Sequence, residues 1–299
     1  MAFSLLAGVA QAQSSPLPDV YLNHISITVS PETYKALAAA EFLRDEFASS
    51  EQRVTQFENE PASQALYLFG RDTFIEFVRA DANNRIGSIG IGMGIEDQSQ
   101  LPEVQQALSQ KLSVPLQIHR RSWSVDHQTL PWFEYIHGDW MPPGPLDVSV
   151  MAYHPDYVQE RSAGVDRSRV TSVRAQVLAH QHHPDRLMRD VRRLVLWSEP
   201  AEINSLTGAL VALGFQLSFD GPVENLRGPD IEFNLIPLKA HEERKVEIYF
   251  SLTRKYTGPL CYRFPDNSTL AFVSSLAQWS FPGRIKPDPN ATAVAAKKP

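Results

Sequence analysis

The 299-residue sequence predicts an α+β protein assembled from repeated βαβββ modules. Three observations lead there. Short runs alternate polar and apolar residues with the two-residue period of a half-buried strand. Two of these runs, those ending near Val29 and Trp197, pass straight into a proline-led helix start. The pattern begins again every ~60 residues, too regularly for chance.

The first unit opens with Asn23–Val29, which alternates polar and apolar residues. Ser30-Pro31-Glu32 supplies a helix cap, a first-turn proline and an early acid, so a helix should run from there to about Phe47. Strands follow at Arg53–Phe57, Ala65–Phe69 and Thr73–Val78, the last two joined by the turn Gly70-Arg71-Asp72. The second unit begins with the glycine-rich strand Ile86–Ile95. Its helix should cover Leu101–Leu112, and its later strands Leu116–Val125, Trp132–His137 and Val148–Tyr153. The third begins at Arg193–Trp197. Glu199-Pro200 opens a helix that Leu213-Gly214 ends, and strands follow at Phe215–Phe219, Ile231–Ile236 and Val246–Leu252. The expected division is therefore a leader and linker at 1–18, modules at 19–80, 86–153 and 191–252, and a polar linker at 154–190. A helix over Arg167–Leu178 fits that linker loosely. An extension at 253–285, with a strand near Leu270–Val273, and a disordered Pro/Ala/Lys-rich tail at 286–299 complete the chain.

Composition narrows the class. Hydrophobic residues make up 43% and charged residues 21%, with a net charge of -6, as in an ordinary globular protein. No basic excess exists to bind nucleic acid; the pairs Arg120-Arg121 and Arg192-Arg193 are too small. Residues 2–10 are apolar and uncharged, Ala10-Gln11-Ala12 is a small-x-small sequence, and a polar stretch follows to Pro18. This reads as the core and cleavage site of a secretory signal whose basic start lies upstream, which implies an exported, periplasmic or secreted protein. The alternative is a disordered apolar tail. The run is about half the length of a membrane-spanning helix, and no later run reaches ~18 apolar residues, so no integral membrane segment is expected. Cys261 is the only cysteine, which excludes an intrachain disulfide; its neighbours Leu260 and Tyr262 suggest a packed thiol.

His24–Val29, the following helix, and Phe74-Ile75-Glu76-Phe77 together resemble a module of the vicinal oxygen chelate superfamily, which includes glyoxalase I, extradiol dioxygenases and bleomycin-resistance proteins. Gly90–Asp97 resembles the start of the next module. The whole is similar to uncharacterised glyoxalase-like bacterial proteins. The resemblance implies cup-shaped, partly open mixed sheets with helices outside. It implies a small-molecule ligand in the cup and, where ligands suffice, one divalent metal such as Zn, Mn, Fe or Ni. Carried over by position, the metal ligands would be His24 and Glu76, with Glu247 as the third-module match to Glu76, and Glu76 and Glu247 would serve as catalytic carboxylates. The second module has Gly90 where its histidine would stand, and the third has Arg192 or Arg193. If modules one and three pair, His24, Glu76, Glu247 and an arginine share a cup. If modules one and two pair, Glu134 or His137 would have to complete the set.

The residues bear on this independently. The two-residue period puts His24, Ser26 and Thr28 on one face and Asp72, Phe74, Glu76 and Val78 on another. Trp132, Glu134, Tyr135, His137 and Arg193 are candidate substrate contacts, because aromatic walls with a few polar groups make ligand pockets. Trp132–Tyr135 reads equally as a core strand, and His24 as a core histidine. His180-Gln181-His182-His183 suits adventitious metal binding in a linker. Gly87, Gly90, Gly92 and Gly94 lack the lysine of a phosphate loop and instead suit close packing over a strand. No Gly-x-Ser-x-Gly elbow occurs. Two functions fit: a small-molecule binding protein with no obligatory metal, or a divalent-metal-dependent lyase, isomerase or dioxygenase. A homodimer fits either.

Overall fold

The computed structural model describes residues 17–282 apart from 56–61, 82–84, 126–127, 167, 169, 240–241 and 274. The expected leader core and C-terminal tail lie outside these residues.

The first half forms one mixed sheet of eight strands: β1 (Tyr21–Val29), β2 (Ser49–Thr55), β3 (Ser63–Phe69), β4 (Phe74–Arg79), β5 (Ile89–Gly94), β6 (Ile118–Val125), β7 (Gln128–Ile136) and β8 (Leu146–Tyr153). Their order is β2-β3-β4-β1-β5-β8-β7-β6. Two βαβββ modules therefore join edge to edge through the antiparallel pair β1/β5. The pairs β1/β4 and β5/β8 are parallel. A parallel neighbour demands a crossover, and helices supply it: α1 (Pro31–Ala39) after β1, and α2 (Leu101–Leu112) after β5. Ser30 caps α1 by accepting from the Thr33 backbone N–H at 3.1 Å. A five-residue π turn, Leu43–Phe47, continues α1 where a single longer helix was expected.

The second half repeats the order: β10-β11-β12-β9-β13-β16-β15-β14. Here β9 (Met188–Ser198), α5 (Pro200–Ala212), β10 (Gln216–Asp220), β11 (Val223–Arg227) and β12 (Glu232–Pro237) form the third module. Strand β13 (Lys245–Leu252), expected as that module's last strand, instead pairs antiparallel with β9 and opens a fourth unit. Within the third module the strand missed by periodicity is β11, which returns from β10 through the two-residue turn Gly221-Pro222, with Gly221 at φ +57°. The fourth unit has no helix between β13 and β14 (Cys261–Arg263). Without a crossover the chain doubles back, so β16 (Leu276–Phe281) runs antiparallel to β13 where β8 runs parallel to β5. β15 (Thr269–Val273) completes the meander.

The two sheets share a single core. Ile25, Ile27, Ile75 and Phe77 of the first half and Leu194, Leu196, Phe233 and Trp279 of the second are all essentially buried within it. The Phe77 and Trp279 rings are 4.9 Å apart, and Leu112 of α2 meets α5 at Gly208. The sheets thus turn their other, concave faces away from each other; one of the two curls into a half-barrel. The expected linker is not a spacer. Its helices α3 (Pro155–Arg161) and α4 (Val173–Leu178) fold over the first sheet. No helix among the described residues is long and apolar enough to cross a membrane. Cys261 is exposed, not packed, because β14 is the outermost strand of its sheet.

Candidate functional site

The concave face of the first sheet gathers the polar groups that have no place in the core. Alternation on β1 sends Ile25 and Ile27 into the core and leaves His24 and Ser26 on the concave side. A β-bulge adjusts this pattern: Leu22 pairs with Met93 and His24 with Gly92, so Asn23 is the extra residue. It lies close enough to accept a hydrogen bond from His24 Nδ1 at 3.0 Å and another from the Tyr153 hydroxyl at 3.3 Å. With Nδ1 donating, the neutral imidazole keeps a lone pair on Nε2.

His24 stacks on Phe74, with ring centroids 4.8 Å apart and planes 12° from parallel. Its other neighbour is the glycine stripe of β5. A Cβ on Gly92 would stand 2.2 Å from the imidazole Cε1, and one on Gly90 would stand 2.3 Å from Ser26 Oγ. The absent side chains let His24 and Ser26 lie across β5. This is the close packing that the alternate glycines implied, at Gly90 and Gly92; Gly87 instead lies in the turn before β5, at φ +82° with open space about it. Burial pushes the His24 pKa down to about 4, so the ring is neutral at neutral pH.

Glu76 sits beside Ser26 in register. The Tyr67 hydroxyl donates to Glu76 Oε1 at 2.8 Å. Burial pushes the Glu76 carboxyl up, partly opposed by the Tyr67 hydrogen bond and the charge of Arg53. Burial also raises Tyr67, with Glu76 adding to the effect. The Arg53 guanidinium lies 4.9 Å from the Tyr67 ring centre and 5.5 Å from that of Phe69. Over this floor, Tyr157 of α3 and Val177 and Leu178 of α4 pack with Tyr67, Phe69, Met151 and Tyr153. The result is an aromatic-lined stretch of the first sheet, roofed in part by α3 and α4, whose imidazole is neutral and whose carboxyl resists ionisation.

The other predicted residues divide. Trp132 and Tyr135 border the recess; Trp132 is the extra residue of a bulge on β7, which lets it and Phe133 both join the aromatic cluster. Glu134 points to the opposite face, where it pairs with Arg120. His137 follows the end of β7 and bonds Asp139 at 2.8 Å, outside the recess. Glu247 and Arg193 belong to the second sheet. Register shows why Glu247 was misaligned with Glu76. Val29 and Ser198 each end a first strand beside Arg79 and Pro237. Counting back, Arg193 matches His24, Asn234 matches Glu76, and Glu247 matches Gly90. On its own face Glu247 is satisfied by Lys245 and by the Tyr249 hydroxyl at 2.9 Å. The set His24, Glu76 and Glu247 is therefore not brought together. Among the described residues no three His, Cys, Asp or Glu side chains are placed to hold a metal ion.

Asn23, Tyr67 and Tyr153 were missed, and Tyr157 stood out only as part of His154-Pro155-Asp156-Tyr157 after a strand end. Tyr67 had a signal, since Ala65, Tyr67 and Phe69 share a face by period. Tyr157 had a weaker one in His154-Pro155-Asp156, where the His154 side chain caps α3 by accepting from the Asp156 N–H at 3.2 Å. His180, in the histidine tract, bonds the Ala163 carbonyl at 2.9 Å.

A family model described as "Family of unknown function (DUF5829)" matches residues 22–281. A search among curated proteins found no match. Solved structures similar to this chain include a hypothetical protein from Staphylococcus aureus, at TM-score 0.49 and 9% identity, covering 86% of this chain and 97% of that one. A catechol 2,3-dioxygenase aligns at TM-score 0.42 and 11% identity over 90% and 91%. Methylmalonyl-CoA epimerase from Mycobacterium tuberculosis aligns at TM-score 0.27 and 14% identity over 49% and 95%. At such TM-scores none of the three speaks to what this chain does.

Proposed function

For a chain that belongs to the DUF5829 family of unknown function, we propose that it binds a small, uncharged, partly aromatic molecule on the concave face of the first sheet, without an obligatory metal. The observation that carries this is the pairing of a half-buried neutral imidazole with a carboxyl whose ionisation is resisted, inside a wall of aromatic rings. Ligand recesses have this character: mostly apolar, with a few fixed polar groups. His24 Nε2 would accept from a ligand hydroxyl. Phe74 and Tyr67 would face its apolar part. A charged ligand would find the Arg53 guanidinium at this floor already paired with Glu51 at 2.6 Å. The resemblance of His24–Val29 and Phe74–Phe77 to a vicinal oxygen chelate module supports the same face, since the cup is that superfamily's ligand site.

The metal-dependent reading, a lyase, isomerase or dioxygenase, has a weaker footing. His24 and Glu76 offer two donors, and no third acid, histidine or thiol stands with them among the described residues. Two protein donors do not hold a divalent ion firmly, so the donor set does not fit a resident metal.

The test is a thermal-shift and calorimetric screen of the whole chain with small phenols and aromatic ketones, with and without EDTA or added Zn²⁺. A shift indifferent to chelator is expected, with affinity lowered about tenfold in His24→Ala and in Glu76→Gln. A shift that needs the metal, or that both variants leave unchanged, would overturn the reading.

A further inference from the structure

A cavity of about 390 Å³ lies at the junction of the two sheets, away from the recess described above. Its floor is Asp190 of β9, only 2% exposed. One carboxylate oxygen, Oδ1, accepts from the backbone N–H groups of Asp72 at 2.7 Å and Thr73 at 3.1 Å. The other, Oδ2, is buried and has no hydrogen-bond partner. A buried carboxylate oxygen without a donor is costly. Burial pushes the Asp190 carboxyl up, with the charge of Asp72 adding to it; the backbone hydrogen bond from Asp72 and the charges of Arg192 and Arg71 only partly offset this. A cationic donor at Oδ2 would relieve both strains.

The opposite requirement stands close by. Register on β9 passes from Val191 to Arg193, so Arg192 is the extra residue of a bulge, as Asn23 is at the matching position of the first sheet. Its guanidinium makes only long hydrogen bonds, 3.4 Å to Ser251 Oγ and 3.4 Å to the Asp230 carbonyl. Arg71, also on the cavity wall, bonds Asp72 through Nε at 2.6 Å. The third arginine of the wall is not free for a ligand: Arg174 is held by Glu96 at 2.9 Å, Asp230 at 2.7 Å and the Leu22 carbonyl at 2.5 Å.

We propose that this cavity binds a small zwitterion of the amino-acid class, its ammonium group bonded to Asp190 Oδ2 and its carboxylate to the guanidinium groups of Arg192 and Arg71. A bare metal ion fits less well, since arginines line the same wall and no three acidic ligands converge among the described residues. The volume lies within the range of small-ligand sites. An arginine fork suits a carboxylate in geometry as well as charge.

The experiment is calorimetry and thermal shift on the whole chain with the twenty L-amino acids, each at about 10 mM, where a ligand of millimolar affinity approaches saturation. Acetate and methylammonium serve as the two halves of the zwitterion. At least one amino acid should bind, and each half should bind at least about tenfold more weakly. Arg192→Gln and Asp190→Asn should each weaken binding about tenfold to a hundredfold. Asn at 190 keeps an acceptor for the two backbone donors; if that variant fails to fold, Arg192→Gln decides. His24→Ala should leave this binding intact, which separates it from the recess. No binding by any amino acid, equal binding by a half-molecule, or unaltered affinity in Arg192→Gln would overturn the proposal.

Discussion

The imidazole of His24 occupies the space that a side chain at Gly92 would need: a Cβ there would lie 2.2 Å from Cε1, 2.4 Å from Nδ1 and 2.8 Å from Nε2. The ring cannot slide away without losing its stack on Phe74 and its hydrogen bond to Asn23. Gly92→Ala should therefore destabilise the fold by about 1–3 kcal/mol, the usual cost of overpacking. Adding His24→Ala should recover much of that loss, because the clash disappears. Urea unfolding of the two single variants and the double variant measures the coupling. Simple additivity would show that the ring and the glycine are independent.

Stability should fall as the pH drops from about 6.5 toward 4. His24 titrates near 4 in the folded state against 6.5 in the unfolded chain. Between those values the unfolded chain binds the extra proton, so its contribution is fully present above 6.5 and gone below 4. The upper bound is about 3 kcal/mol from a shift of this size. Glu76 acts oppositely: with its folded pKa raised, its contribution is present at low pH and lost as the pH rises through that folded value. The difference in unfolding free energy between the native chain and His24→Gln isolates the first effect. A difference that stays flat from pH 4 to 7 (the interval about those values) would contradict the burial of the imidazole.

Arg174 is 5% exposed and clamps three separate stretches of chain through Glu96, Asp230 and the Leu22 carbonyl. Replacing it with methionine leaves two acids without their buried cation. The expected loss is about 3–5 kcal/mol, read as a lower denaturant midpoint. A loss under about 1 kcal/mol, the range of an exposed pair, would mean that solvent reaches the site.

Cys261 lies on the exposed edge strand β14. In the native protein an aromatic disulfide reagent should titrate one thiol per chain without denaturant. A thiol that reacts only after unfolding would place β14 elsewhere.

How far the sequence reached is clearest in particular elements. Helix α2 was legible at both ends, because Leu101, Val104 and Leu108 repeat with helical spacing and turn inward. The face shared by His24 and Ser26 was legible from alternation alone. β11 was not: its residues are mostly half-exposed and show no apolar period, and only Gly221-Pro222 marked the turn before it. Helix α4 fell within the helix expected at Arg167–Leu178, whereas α3 was hidden in a polar stretch, because only Tyr157 and Val158 turn inward from it.

The chain's own residues settled most of the strands and helices, that the units repeat, and which side chains on a strand look the same way, since these follow from local geometry with periods of two and 3.6 residues. Only the tertiary pairing settled that Glu247 belongs beside Val195 rather than among the neighbours of His24, that Asn23 and Arg192 are bulge residues, and that a presumed linker covers the recess. Alternation says which residues share a face but not which strand lies alongside. That choice is made by hydrogen bonds and core contacts between segments far apart in sequence.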